Sequence, residues 1–339
     1  MKWVRHATVV IAVLIVAAVV FALANAMRTQ HPVGFKLIEV PDPGGTPIHV
    51  GVWYPTQASP RPTTLLGLNL MSVAPDGPVA GSDLPLIVFS HGNGGGPASH
   101  ADLALALADH GFVVAAPMHT GDNYLDQSAV GTPRWLVDRS RHVHLTIEHM
   151  LNVWPGRAHV GADRVGMFGF SAGGFTALTA IGGEPDLRLV ATHCAVTREF
   201  VCGLLSDLKS TLMHPEAAPP ADAFVRDSRI KAAVVAAPGL GFTFVPDGLR
   251  NVTARVQLWS GQRDVNVPEA TNAGPISRAL GDRAELQSVP GAQHFSFLAP
   301  CRLLRPPLLC GETQGFDRAA FHAEMNERVV AFYKKSLGP

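Results

Sequence analysis

Apolar residues gather into short, nearly unbroken runs spaced along the chain. Leu84–Ser90 (LPLIVFS), Phe112–Ala116 (FVVAA), Ile230–Ala236 (IKAAVVA) and Ala254–Ser260 (ARVQLWS) carry few polar positions. Such runs predict strands buried on both faces. Between them the period lengthens to that of a helix. Ser99–His110 is one predicted helix, stopped by Gly111, and about Val137 to Val153 is another. Arg164–Phe168 predicts a short strand, Phe175–Ile181 the start of a helix, Leu286–Val289 a last strand and Asp317–Lys335 a closing helix. Strands alternating with helices predict an α/β fold, a mostly parallel central sheet with helices on both faces. Phe35–Val40 and Ile48–Trp53, joined by PDPGGTP, read as an antiparallel pair at a sheet edge. Thr56 to Asp83, rich in Pro, Gly, Ser and Thr with a weak apolar patch at Leu65–Met71, reads as a long surface loop. Gly182 to Arg229 breaks the rhythm and reads as an inserted lid over the carboxyl ends of the strands, where such folds bind ligands.

The first 26 residues follow a different pattern. Lys2 and Arg5 precede an unbroken apolar run from Val9 to Ala24, and Ala24-Asn25-Ala26 has the small-x-small form of a signal-peptidase site. Sixteen residues is long for a signal peptide and short for a span of ~20. Residues 1–26 are therefore a signal peptide or an N-terminal membrane anchor. Either way the positive end stays in the cytoplasm, and residues 27–339 form an exported domain, periplasmic or secreted, or anchored outside the cytoplasm.

Composition adds limits. The 339 residues hold 27 Lys+Arg and 27 Asp+Glu, so the zero net charge argues against nucleic acid as a partner. With 47% hydrophobic and 16% charged residues the chain is not largely disordered. All four cysteines, Cys194, Cys202, Cys301 and Cys310, fall in the exported part. An even count there suggests disulfides, and the short loops Cys194–Cys202 and Cys301–Cys310 are the simplest of three pairings. No Cys/His spacing suggests zinc. His142, His144 and His149 share one predicted helix, but only the 142/149 and 144/149 pairs approach a common face, so no metal site is expected.

The chemistry centres on Gly169-x-Ser171-x-Gly173, placed between a strand and a helix. A tight strand-to-helix turn there would lift the serine hydroxyl above the sheet edge. Serine needs a base, and the base a carboxylate to orient it. In this arrangement the chain order is Ser, acid, His. Asp264 follows the strand ARVQLWS, and His294 lies in the loop after the last strand. Both would share a sheet edge with Ser171. Asp282 is the rival acid and His322, in the terminal helix, a poor rival base. Two backbone N–H groups should stabilise the oxyanion. Ala172, at the start of the helix after the serine, would supply one; Asn93 in His91-Gly92-Asn93-Gly94, with Gly94 as rival, the other. The glycine run is not a P-loop, since no Gly-Lys-Ser/Thr follows.

These residues resemble the α/β-hydrolase superfamily, and more narrowly its dienelactone hydrolase-like and platelet-activating-factor acetylhydrolase-like branch. The matching pieces are Val52-Trp53-Tyr54-Pro55, Phe89-Ser90-His91-Gly92-Asn93-Gly94, ADHGFVVAAPMHTG, Gly169-Phe170-Ser171-Ala172-Gly173-Gly174, SGQRDVNVP and GAQHFSFLAPC. They extend roughly from Ile48 to Leu337. The resemblance implies a cofactor-free serine hydrolase of carboxylic esters or lactones. By motif position it implies Ser171 as nucleophile, Asp264 as acid, His294 as base, and Asn93 and Ala172 as oxyanion donors. Two departures stand out. Dienelactone hydrolases proper look different at the nucleophile, a cysteine where this chain has serine, and many relatives have His where this chain has Phe170. An acyltransferase using the same three residues is the alternative enzyme. A non-catalytic binding protein of this fold would be expected to lack one of them, and nothing suggests the chain-binding groove of a peptidase. The expected partner is a small-molecule ester or lactone, with membrane contact only through the N-terminal segment.

Overall fold

The computed structural model describes residues 2–65, 69–301 and 307–338. Ten strands form one sheet: β1 Val33–Val40, β2 Ile48–Pro55, β3 Arg61–Leu65, β4 Asn69–Pro75, β5 Leu84–Ser90, β6 Val113–Pro117, β7 Val160–Phe170, β8 Ile230–Ala236, β9 Arg255–Gly261 and β10 Ala284–Val289. Their order is β10-β9-β8-β7-β5-β6-β2-β1-β4-β3. The six from β10 to β6 are parallel, β2 turns antiparallel on β6, and β1 pairs antiparallel with β2. The helices are α1 Lys2–Asn25, α2 Ala101–Asp109, α3 Pro133–Asn152, α4 Ala172–Ala180, α5 Leu189–Val196, α6 Phe200–Asp207, α7 Ala273–Leu280, α8 Pro307–Cys310 and α9 Arg318–Leu337.

The apolar runs are explained by burial on both faces. Along β5, Leu84, Leu86 and Val88 join a core with residues of α3, α4 and α7. Ile87 and Phe89 point the other way, into a second core with α2 and α9. Each fully buried side chain of this kind stabilises by about 1.5–3 kcal/mol, so neither face tolerates polar substitution. Predicted helices and strands shift only at their ends. Helix α3 begins four residues early because Pro133 suits a first-turn position, where no N–H is needed. The short strand predicted at Arg164–Phe168 is the centre of the longer β7.

Two expectations fail at the N-terminal side. Thr56–Asp83 is not one surface loop: it contains β3 and β4, which pair antiparallel from Arg61↔Val73 to Leu65↔Asn69. Leu65, Leu70, Met71 and Val73 are buried there. The Pro/Gly-rich flanks hid a short hairpin, and Pro62 is tolerated because β3 is the outermost strand. The middle of the Leu65–Met71 patch, residues 66–68, lies outside the described residues. For the same reason β1 and β2 are not the edge: β4 adds to β1 in parallel, at Gly34↔Ala74 and Phe35↔Pro75.

Helix α1 stands apart. From His6 to Asn25 its mean hydropathy is 3.0 and none of it is buried. It is long and apolar enough to cross a membrane. The chain enters the domain immediately after it, where Met27 N–H donates to Leu70 O (2.8 Å) and Met27 O accepts from Ser72 N–H (2.8 Å). Cys194 is bonded to Cys202 and Cys301 to Cys310, with Cα separations of 5.1 and 6.0 Å.

Candidate active site

The turn from β7 into α4 is as tight as two neighbouring backbones allow. A Cβ on Gly169 would collide with the Gly173 carbonyl oxygen, and one on Gly173 with the Ser90 carbonyl oxygen. Only hydrogen fits at either place. Between them Ser171 adopts φ 56°, ψ −117°, a left-handed conformation that strains a non-glycine residue and is held by the surrounding backbone. Ser171 N–H donates to Ala236 O (3.0 Å), and Ser171 O accepts from Gly174 and Gly239 N–H (2.8 and 3.0 Å).

Three side chains predicted from sequence come together here. Ser171 Oγ stands 3.0 Å from His294 Nε2, and His294 Nδ1 stands 2.7 Å from Asp264 Oδ2. The other Asp264 oxygen accepts from Asn266 and Val267 N–H, both at 2.9 Å. With a carboxylate at Nδ1, the proton belongs on that nitrogen, and Nε2 faces the serine as an acceptor. The Phe170 ring lies 4.8 Å from the imidazole, packed against it. The loop carrying His294 is held from behind: Gln293 Nε2 donates to Thr313 Oγ1 (2.9 Å) and Ser296 Oγ to Glu312 (2.6 Å). The rivals lie elsewhere. Asp282 sits in an exposed 3-10 turn, and its carbonyl accepts from Arg255. His322 bonds Asp102 (2.7 Å) and Ser296 O (2.9 Å).

Gly92 brings the glycine loop against Ser171, since a Cβ there would stand 3.3 Å from Ser171 Cβ. The loop residues differ in how they are tied. Gly94 N–H donates to Asp122 Oδ1 (2.8 Å), so that group is already used. The Asn93 side chain is held by the same oxygen (2.8 Å). Ala172 begins α4 directly after the serine.

Sequence reasoning missed Asp122 and Arg139. Both are 1% exposed. Arg139 Nη1 donates to Asp122 Oδ2 (2.6 Å), which also accepts from Trp135 Nε1 (2.5 Å). Burial alone would raise the Asp122 carboxyl, but Arg139 and the bonds from Gly94 and Trp135 hold it below the usual range. The only signal was a polar run, His119-Thr120-Gly121-Asp122-Asn123, just past an apolar strand. Three histidines surround the pair. Burial, then Arg139, lowers His91 to about 4; burial, then Arg141, lowers His142 to about 4; His119 falls well below its usual value for the first of these reasons. The bonds agree for His91: Nδ1 faces Gly92 O (2.7 Å) and Nε2 accepts from His119 N–H (3.1 Å), the pattern of one neutral tautomer. His144 bonds Asp227 (2.9 Å) instead. Among the described residues no group of three His, Cys, Asp or Glu side chains is placed to hold a metal ion.

The chain is similar to known proteins over two different extents. Residues 73–139 match the sequence profile of the family platelet-activating factor acetylhydrolase, isoform II. That stretch includes the glycine loop, Asp122 and Arg139 and ends before Ser171. No match was found among curated proteins. Among solved structures, a ferulic acid esterase from Streptomyces cinnamoneus aligns over 92% of both chains, with a TM-score of 0.61 and 18% identity. It is one of 902 matching chains, so the likeness establishes the architecture and leaves the chemistry to the site. The chain therefore has the α/β-hydrolase fold.

Proposed function

We propose that this protein is an exported serine hydrolase that cleaves carboxylic esters through an acyl-serine intermediate. The observation that carries the reading is the unbroken path from Asp264 through His294 to the strained Ser171, with contacts of 2.7 and 3.0 Å. Ser171 Oγ attacks the ester carbonyl carbon as its proton passes to His294 Nε2. Asp264 holds the imidazole's orientation and stabilises its positive charge. The negative charge on the tetrahedral oxygen is met by the backbone N–H groups of Ala172 and Asn93. Collapse breaks the C–O bond to the alcohol, which leaves with the proton from His294. Water, activated by the same imidazole, then releases the acid and frees the serine.

Other features support the reading. Both matched proteins are named for this kind of chemistry, an acetylhydrolase and an esterase. Segment 182–229 acts as a cap: Phe200 N–H donates to Asn266 O (3.3 Å), two residues from Asp264, and Val225 N–H to Ser140 Oγ (3.0 Å) on α3. Val196, Phe200 and Val265 are exposed on and beside this cap and favour apolar acyl or alcohol groups. The apolar α1 and two disulfides fit a domain outside the cytoplasm. The test is fluorophosphonate labelling of residues 27–339 beside Ser171→Ala, with hydrolysis of a chromogenic ester measured in parallel. Labelling and turnover are expected in the wild type alone. Wild-type-like turnover by Ser171→Ala would overturn the reading.

A further inference from the structure

The two proposed oxyanion donors come from separate elements, the loop after β5 and the first turn of α4. Their spacing must be held by something that touches both. Asp122 and Arg139 do. Asp122 Oδ1 accepts from Asn93 Nδ2 and Gly94 N–H, both at 2.8 Å, and so fixes the loop. Arg139 Nη1 holds Asp122 (2.6 Å), while Nη2 donates to His91 O and to Ser90 Oγ (3.2 Å), at the root of the same loop. Arg139 Nε donates to Thr176 Oγ1 (3.1 Å), and that hydroxyl donates to Ala172 O (2.9 Å). One guanidinium thus spans from the loop to Thr176 of α4, whose hydroxyl carries the link to the first turn. Its planar fork allows this, whereas a lysine ammonium could not reach all four partners in fixed directions.

We infer that the buried Asp122–Arg139 pair, linked through Thr176 to α4, is a positioning device that sets the distance between the Asn93 and Ala172 oxyanion donors. This rests on the acyl-serine reading. It goes beyond it in assigning the transition-state geometry to residues that touch neither substrate nor nucleophile. Asp122→Asn is the direct test, because an amide must turn its NH2 toward donors on one side or the other. It also strips a buried guanidinium of its counter-charge and endangers the fold. Thr176→Val keeps the ion pair and the shape while cutting the tie to α4, and Thr176→Ser restores the hydroxyl.

The readouts are kcat and KM for p-nitrophenyl acetate per titrated active site, and Ki for an aryl trifluoromethyl ketone, whose adduct on Ser171 carries the oxyanion. Removing an oxyanion donor lowers kcat by roughly 10²–10³. Asp122→Asn is expected to approach that loss and Thr176→Val to show a smaller one. KM should stay unchanged and Ki should rise in step with the fall in kcat/KM. Thr176→Ser should recover both. If the variants only reduce the number of titrated sites, with kcat and Ki per site as in the wild type, the role is structural and the inference is overturned while the hydrolase reading stands. If the wild type itself neither hydrolyses the ester nor binds the ketone, the hydrolase reading fails and takes this inference with it.

Discussion

Asp264 and Asp122 lie beyond the carboxyl ends of β9 and β6 of one sheet, 5% and 1% exposed. Each accepts at least three hydrogen bonds. Their partners separate them. Asp264 faces an imidazole, whose charge can change within a reaction cycle. Asp122 faces a guanidinium, whose charge cannot. The same residue type on the same edge therefore orients an imidazole in one place and braces a backbone loop in the other. Burial of a carboxylate says little about its role until the charge opposite it is known.

The largest effects should come from exchanging both carboxylates for amides. Asp264→Asn leaves an oxygen for Asn266 and Val267 N–H, so the fold should persist, but it removes the acceptor that fixes the His294 tautomer. A kcat loss on the order of 10⁴ is expected, with the urea unfolding midpoint nearly unmoved. Asp122→Asn should do the reverse in stability, costing about 3–5 kcal/mol because a buried guanidinium loses its partner. Chemical denaturation of both variants beside steady-state kinetics checks this cross. The comparison collapses if Asp264→Asn is the less stable protein and Asp122→Asn the less active per folded site.

Acid should act next, through buried histidines, three of them on the Asp122 side. His91 and His142 are held to about 4, and His119 well below its usual value, chiefly by burial. All three are below the value of about 6.5 that an unfolded histidine keeps. Between those limits the unfolded chain binds more protons than the folded one, so stability rises with pH. The contribution is complete above about pH 6.5 and is lost progressively down to about pH 4. Thermal unfolding should therefore shift down across that window, by an amount on the order of several kcal/mol in stability. A melting temperature that is flat from pH 6.5 to pH 4 would mean these histidines are not held neutral.

How much of this was legible in the chain depended on whether the signal was local. LPLIVFS and ARVQLWS announced buried strands because every neighbouring position has the same environment. Gly169, Ser171 and Gly173 announced a turn because backbone contact excludes any side chain at two fixed offsets. Order and loop position then pointed to Asp264 and His294. The hairpin β3–β4 was not legible, since its few apolar residues sit among prolines and glycines that ordinarily mark loops. Asp122 and Arg139 were not legible either. They lie 17 positions apart, on a loop and a helix, and an arginine on an amphipathic helix reads as a solvated charge. Only the packing of α3 under the glycine loop shows that this one points inward.

The smallest expected effect concerns how the two sides are braced. The loop at Asn93 rests on a buried ion pair, which needs no covalent help. The loop at His294 rests on Glu312 and Thr313, which follow directly on Cys310 of the Cys301–Cys310 bridge. A closed loop of that length constrains the unfolded chain by about 2.5–3 kcal/mol in the entropic account. Replacing both cysteines with serine should therefore lower stability by up to that amount. It should also loosen the base loop: kcat falls modestly, while the Ki of the trifluoromethyl ketone, relative to kcat/KM, keeps the wild-type proportion because the oxyanion donors have not moved. Removing Cys194–Cys202 instead should lower stability by a similar amount and, if α5 and α6 act as the proposed cap, change KM before kcat. Equal effects of the two pairs on kcat would show that the base loop does not depend on the segment behind it, and that its geometry is set by Asp264 and the Phe170 ring alone.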